Sequence, residues 1–231
     1  MTGRRRPGGI VHGLVSGAVA AVDSWGEFDG GAVFPQEERV IARAVPKRRR
    51  EFTGARHCAR RALAELSVPP VPILPGTHGA PVWPTGTTGS ITHTEDYRAA
   101  AVARTTDVRA IGIDAEPHQR MPGRTAEFVT ANAYEAAVLR RLAGEYPGVH
   151  WDRLVFSAKE ATYKIWSTFT GHWLGFEDAV VVPDPSRGTF EARLLVPGPV
   201  VDGVSLRRLH GRWAVREGLV VTAIVLAAAP A

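Results

Sequence analysis

Val108-Arg109-Ala110-Ile111-Gly112-Ile113-Asp114-Ala115-Glu116-Pro117 is an apolar run that ends in two carboxylates spaced two apart. Residues two apart in a strand point to the same face. The stretch therefore predicts a buried strand with Asp114 and Glu116 projecting together from its end. Two carboxylates held that close repel each other unless a cation or a proton lies between them. Hard cations such as Mg2+ are held by one or two carboxylates together with substrate phosphates. The same residues also fit a strand that leaves the core into a polar turn, with Pro117 ending it.

Upstream, Tyr97 to Arg104 is another apolar run, joined to Val108–Asp114 by Thr105-Thr106-Asp107, which reads as a hairpin. Gly89-Ser90-Ile91-Thr92-His93-Thr94 comes before it. Its hydroxyl and imidazole groups suit an anion, or else His93 packs at a strand end. Ser67 to Pro84, rich in proline and glycine, excludes a helix and reads as an ordered loop around Trp83. Lys47 to Leu66 reads as a helix, with Phe52, Ala55, Ala59, Ala62, Leu63 and Leu66 at helical spacing. Arg49, Arg56 and Arg60 line up beside that stripe, and Arg48 falls closer to it. Such a cluster holds phosphate at a helix N-terminus, faces solvent, or meets a nucleic acid. Pro35-Gln36-Glu37-Glu38 starts a shorter helix running to about Ala44. Ile10 to Val22 reads as a first strand or extended segment, and residues 1–9, basic and Gly-rich, as an unordered start.

Downstream, residues 117–150 read as loop, helix (Ala126 to Gly144) and loop. Trp151 to Phe169 reads as a helix whose core face is Ala158, Ala161, Ile165 and Phe169. Glu160 and Lys164 share the opposite face at i, i+4 spacing. They fit a surface pair, and Ser157 with Glu160 fits a capping box. The aromatics Phe156, Tyr163 and Trp166 around the pair argue against a merely solvated face. Two hairpins follow, Gly175 to Pro183 with Thr189 to Val196, and Arg212 to Arg216 with Leu219 to Leu226. Each half of the chain thus has a helical stretch and a hairpin, which predicts two α+β halves meeting at a seam.

The chain has 231 residues, 45% hydrophobic and 22% charged, which suits one large domain or two small ones. A net charge of +5 and a pI near 9.9 suit a polyanionic partner or ligand. Only three residues are lysine (Lys47, Lys159 and Lys164), so two lysines five apart are notable where the chain otherwise uses arginine. One cysteine, Cys58, excludes an internal disulfide and makes the cytosol the default compartment. Arg4-Arg5-Arg6 before Ile10–Val22 is a poor signal peptide, because His12, Gly13, Ser16 and Gly17 interrupt it. Leu219 to Ala229 is too short to span a bilayer and reads as a core strand.

With these pieces in order, the sequence resembles the Sfp-type 4'-phosphopantetheinyl transferases, in particular the actinobacterial members. The resemblance rests on Lys47-Arg48-Arg49-Arg50-Glu51-Phe52 with Arg56, on Gly79-Ala80-Pro81-Val82-Trp83-Pro84 and on Gly89-Ser90-Ile91-Thr92-His93. It rests most on Ile111-Gly112-Ile113-Asp114-Ala115-Glu116 and Phe156-Ser157-Ala158-Lys159-Glu160-Ala161-Thr162-Tyr163-Lys164, about forty-five residues apart. The fold it implies is α+β, two pseudo-symmetric halves with the active site at their seam. Residues 1–105 would bind coenzyme A phosphate and adenine, and residues 106–231 would carry the metal carboxylates and catalytic helix.

The resemblance implies that Asp114, Glu116 and Glu160 hold Mg2+, or Mn2+ in its place, on the pyrophosphate of coenzyme A, with Asp114 itself counted at the coenzyme site. Lys164 would neutralise that pyrophosphate. Arg48, Arg56, Thr92 and His93, with Lys159, would hold coenzyme A phosphates, and Gly79, Ala80 and Pro81 would lie against adenine. A serine of an apo acyl or peptidyl carrier protein would attack the β-phosphate, with Glu160 as the base, directly or through water. The leaving group would be 3',5'-ADP. The implied protein is a cytoplasmic monomer with no nucleic-acid or membrane partner. It departs from relatives at Ala80, where many have a basic residue, and at Gly54, one place earlier than usual. Without the resemblance, a nucleic-acid binder and another Mg2+-dependent nucleotide enzyme stay open.

Overall fold

The computed structural model describes residues 9–26 and 33–229. The strand expected from Val108 is β4 (Val108–Pro117), and its two faces are buried against different layers. Ile111, Ile113 and Ala115 face a core shared with Tyr97, Ala99 and Ala101. On the other side, Ala110 packs with Ala158, Ala161 and Ile165 of the helix α5 (Trp151–Thr170). The even-numbered positions of β4 therefore look at α5, and Asp114 and Glu116 are even-numbered.

Two antiparallel sheets stand face to face. In the first, β1 (Ala20–Trp25), β3 (Tyr97–Arg104) and β2 (Thr87–Thr94) lie in that order. The second has the order β4, β10, β9, β6, β5, with β5 Ala179–Asp184, β6 Thr189–Leu194, β9 Arg208–Arg216 and β10 Leu219–Ala227. A two-stranded ribbon, β7 (Val200–Val201) and β8 (Val204–Ser205), lies between β6 and β9 in the chain. The helix α2 (Pro46–Glu65) covers the outer face of the first sheet through Cys58, Ala59, Ala62 and Leu63 against Ala100 and Val102. The layers run α2, sheet, sheet, α5, an α+β arrangement. Shorter helices are α1 (Pro35–Ile41), α3 (Gly123–Val129) and α4 (Ala133–Glu145).

Three expectations are corrected. Tyr97–Arg104 and Val108–Asp114 do not form a hairpin: β3 pairs with β1 and β2, and β4 pairs with β10, so Thr105–Asp107 carries the chain from one sheet to the other. The hairpin is β2–β3, closing at Thr94↔Tyr97. Ile10–Val22 is not one strand. Ile10, Val11 and Leu14 bury themselves around a short helical turn (His12–Leu14), and β1 starts at Ala20. The helix expected over Ala126–Gly144 is two, broken where Asn132 caps α4 by accepting the Glu135 N–H at 3.0 Å. The expected unordered start, like Arg4–Arg6, falls mostly outside the described residues. Among the described residues no helix is long and apolar enough to cross a membrane.

Cys58 is 1% exposed between α2 and β3. Burial, with Asp23 adding to it, pushes its thiol up to about 12. The native protein is expected to take up no iodoacetamide at neutral pH and one equivalent once unfolded, read by intact mass. Fast labelling of the native state would contradict this packing.

Candidate active site

Two side chains of α5 meet the two carboxylates of β4. Lys164 Nζ donates to Asp114 Oδ1 at 2.9 Å and to the Ile113 carbonyl at 2.7 Å. Arg153 Nη1 donates to Glu116 Oε2 at 2.9 Å. Asp114 is 6% exposed, and its Oδ2 is buried with no hydrogen-bond partner. Burial, then Asp114, pushes the Glu116 carboxyl up to about 7 against the pull of Arg153. Glu160 is raised by burial and then by Asp114, against Lys164. The carboxylates thus form one electrostatic cluster with more negative charge than the two cations relieve. Among the described residues no three His, Cys, Asp or Glu side chains are already closed up as an ion cage. Lys164 and Arg153 hold the strand carboxylates instead.

The seam between the sheets is built by hydroxyls where no strand ladder joins them. Ser90 Oγ accepts the Ile113 N–H at 3.1 Å, and Thr92 Oγ1 accepts the Ala115 N–H at 3.1 Å. Thr92 also donates to Asp114 Oδ1 at 3.3 Å. Thr92 is therefore turned to the carboxylate rather than to the cleft beside it, unlike the expectation of a phosphate contact. Of β2, Thr88, Gly89, Ser90, Ile91 and His93 line that cleft, and Thr92 does not.

The cleft has a volume of ≈ 510 Å³ and lies against Lys164 and Tyr163 of α5. Arg48 and Arg56 of α2, His93 and the backbone of Gly79, Ala80 and Pro81 form its other walls. Arg56 is fixed by a hydrogen bond to the Ile73 carbonyl at 3.2 Å and lies 3.9 Å over the Phe52 ring. Burial lowers it to about 10, so it stays charged at neutral pH. Arg48 Nη1 meets His93 Nε2 at 3.0 Å. A guanidinium only donates, so Nε2 accepts and the neutral ring carries its proton on Nδ1, towards Glu51 at 3.8 Å. Burial, joined by Arg48, Lys164 and Arg56, lowers the His93 pKa despite Glu51. Arg49 and Arg60 are not in the cleft: they hold Glu38 and Glu37 of α1, so the basic stripe on α2 is divided between structure and site.

Lys159 is a correction. Its ammonium is 2.9 Å from Glu135, 2.6 Å from the Val129 carbonyl and 2.7 Å from the Phe176 carbonyl, away from the cleft wall. Successive helix residues turn by about 100°, so when Glu160 looks at Asp114, Lys159 looks at α4. Glu135, fully buried, also accepts the Ala131 and Val181 N–H groups at 2.6 and 2.7 Å. Ser157 is no cap either. It sits mid-helix against Thr222 at 2.9 Å, which removes the capping-box reading of Glu160.

An arginine-lined cleft thus adjoins a carboxylate cluster. A family model described as the 4'-phosphopantetheinyl transferase N-terminal domain matches residues 36–103, and one described as the 4'-phosphopantetheinyl transferase superfamily matches residues 110–219. The chain belongs to the 4'-phosphopantetheinyl transferases. It is 53% identical over 196 residues to "4'-phosphopantetheinyl transferase Svp" of Streptomyces mobaraensis, covering 85% of this chain and 79% of that protein. It is 45% identical over 212 residues to "4'-phosphopantetheinyl transferase PptT" of Mycobacterium tuberculosis, covering 90% and 92%. It is 49% identical over 201 residues to "4'-phosphopantetheinyl transferase Npt" of Nocardia iowensis, covering 84% and 89%. The resemblance to the actinobacterial Sfp-type members is borne out.

In this transferase the first matched segment supplies Arg48, Arg56 and His93, and the second supplies Asp114, Glu116, Glu160 and Lys164. Sequence reasoning missed Arg153 and the seam hydroxyl Ser90. The sequence signal for Arg153 is its spacing: with Glu160 and Lys164 it repeats at about two and three turns.

Proposed function

We propose that this protein moves the phosphopantetheine arm of coenzyme A onto a serine of apo acyl or peptidyl carrier proteins and releases 3',5'-ADP, in an Mg2+-dependent reaction. The observation that carries the reading is the neighbourhood of Glu160, Lys164 and Asp114 at the end of an arginine-lined cleft. The donor set fits a hard divalent ion: Asp114 Oδ2 is buried without a partner, and Glu116 and Glu160 are both raised, first by burial and then by the charge of Asp114. Asp114, Glu116 and Glu160 would hold Mg2+, or Mn2+. When bound, the ion supplies charge neutralisation at the pyrophosphate.

The rest is the work of the chain's own residues. Arg48, Arg56 and His93 anchor the coenzyme's phosphates, including the 3'-phosphate, and Gly79 to Pro81 lie along adenine. Lys164 meets the pyrophosphate where negative charge grows as the bond to 3',5'-ADP breaks. Glu160 takes the proton of the carrier's serine hydroxyl, directly or through water. The serine oxygen bonds to the β-phosphorus as the bridging oxygen leaves in line with it. Residues 1–105 act as the coenzyme half and 106–231 as the carboxylate half. The net charge of +5 steers the acidic helix that carrier proteins present. The protein acts as a cytoplasmic monomer, without nucleic acid or membrane.

Calorimetry of coenzyme A binding tests the cleft. Burial, with Arg48, Lys164 and Arg56, lowers the pKa of the free His93 ring and favours its neutral form. A phosphate beside Nε2 raises that pKa, so binding on the acid side of neutrality takes up protons and affinity rises as pH falls there. The uptake, read from buffers of different ionisation enthalpy, is expected to shrink with dephospho-coenzyme A. It is expected to vanish in His93→Ala, with about tenfold weaker binding. Binding without proton linkage would remove His93 from the phosphate site.

A further inference from the structure

Arg153 and Lys164 of α5 play matching parts. Each holds one oxygen of a β4 carboxylate at 2.9 Å, Arg153 on Glu116 Oε2 and Lys164 on Asp114 Oδ1. Helix and strand run in opposite directions here, so Glu160 falls between the two cations on one face of α5. Lys164 lines the cleft; Arg153 does not. Nothing in the proposed phosphate chemistry uses Arg153, yet its side chain is only 12% exposed. It is also part of a clasp. Arg153 Nε donates to the Gln119 carbonyl at 3.3 Å, Asp152 Oδ2 accepts the Met121 N–H at 2.9 Å, and His118 Nε2 accepts the His150 N–H at 3.1 Å. The segment that leaves β4 is thus fastened to the start of α5, and of these residues Arg153 reaches a site carboxylate.

We propose that Arg153 is a positioning residue that fixes Glu116 and thereby makes the carboxylate site selective for a small divalent ion. The inference rests on the reading that Asp114, Glu116 and Glu160 hold that ion. Fixing Oε2 decides where Oε1 lies relative to Asp114 and Glu160. A guanidinium does this with bonds in fixed directions, where an ammonium pivots. Mg2+ demands near-ideal octahedral geometry at about 2.1 Å, whereas Ca2+ accepts longer and more irregular shells. A fixed Glu116 favours the first ion, and a swinging one the second.

The test is displacement of Mn2+ from the full chain with coenzyme A bound and no carrier, using Mg2+ and Ca2+ separately, read by the EPR signal of free Mn2+. Wild type, Arg153→Gln and Arg153→Lys are compared. The ratio of Mg2+ to Ca2+ affinity is expected to fall about tenfold in Arg153→Gln and less in Arg153→Lys. The ratio is internal to each variant. Removing a positive charge tightens both ions alike, and a generally loosened fold weakens both alike, so neither moves it. An unchanged ratio in Arg153→Gln, or in Arg153→Lys should the first variant not fold, overturns the proposal alone. A wild type that binds no Mn2+ overturns it together with the metal reading.

Discussion

Asp114→Ala is expected to lower phosphopantetheine transfer at least about 1000-fold while coenzyme A binding weakens no more than about tenfold. The split follows from where Asp114 stands. It is outside the wall of the arginine-lined cleft, which keeps Arg48, Arg56, His93 and Lys164 in the variant. It is the carboxylate that Lys164 and Thr92 both address, and the one with a buried oxygen left over. Without it, Lys164 keeps the Ile113 carbonyl but loses its charge partner, and Glu160, raised first by burial, loses the charge that raises it further. Initial rates and calorimetry on the same preparation separate the two effects. Equal losses of rate and binding would make Asp114 a coenzyme anchor. Retained rate would remove it from the chemistry.

Gly112→Ala is expected to be strongly damaging although it adds only one methyl group to the core. A Cβ at that position would lie 2.0 Å from the Ala161 carbonyl oxygen and 2.9 Å from its carbon, both backbone of α5, and 3.2 Å from Ile165 Cγ1. Backbone cannot swing aside, so α5 must lift off β4. That costs about 2–3 kcal/mol in overpacking, read as a lower urea midpoint with an unchanged slope. The same displacement carries Glu160 and Lys164 away from Asp114, so transfer falls about 100-fold at temperatures where the variant is fully folded. Gly144→Ala is the control. An added Cβ there meets nothing within 4 Å at an exposed position of α4, and helix propensity predicts a gain of up to about 0.5–1 kcal/mol. A Gly112→Ala protein as stable and active as wild type would contradict the close packing of β4 on α5.

That packing also explains how far the sequence could be read. Asp114 and Glu116 share a face because a strand alternates, and Glu160 and Lys164 share one because a helix repeats. Both rules act within one element, and both pairs are where local spacing puts them. What local spacing lacks is the partner across the fold. Tyr97–Arg104 and Val108–Asp114 look like a hairpin because a short polar link between apolar runs is the same whether the strands pair or cross between sheets. Lys159 is assigned to the coenzyme phosphates by the family resemblance alone. Its true partner, Glu135, is on another helix, and no spacing links them. Thr92 was legible as a site residue, but its role on Asp114 follows only once β2 lies beside β4. Arg49, Arg56 and Arg60 look alike on the wheel of α2, and only the acids on α1 tell them apart.

The most direct measurement is the intact mass of an apo carrier protein after incubation with this protein, coenzyme A and Mg2+, beside EDTA and Asp114→Ala controls. The expected result is a gain of one phosphopantetheine on the carrier, absent from both controls. A carrier that gains nothing although the protein binds coenzyme A, or that gains the same mass in EDTA, would contradict transfer through this carboxylate site.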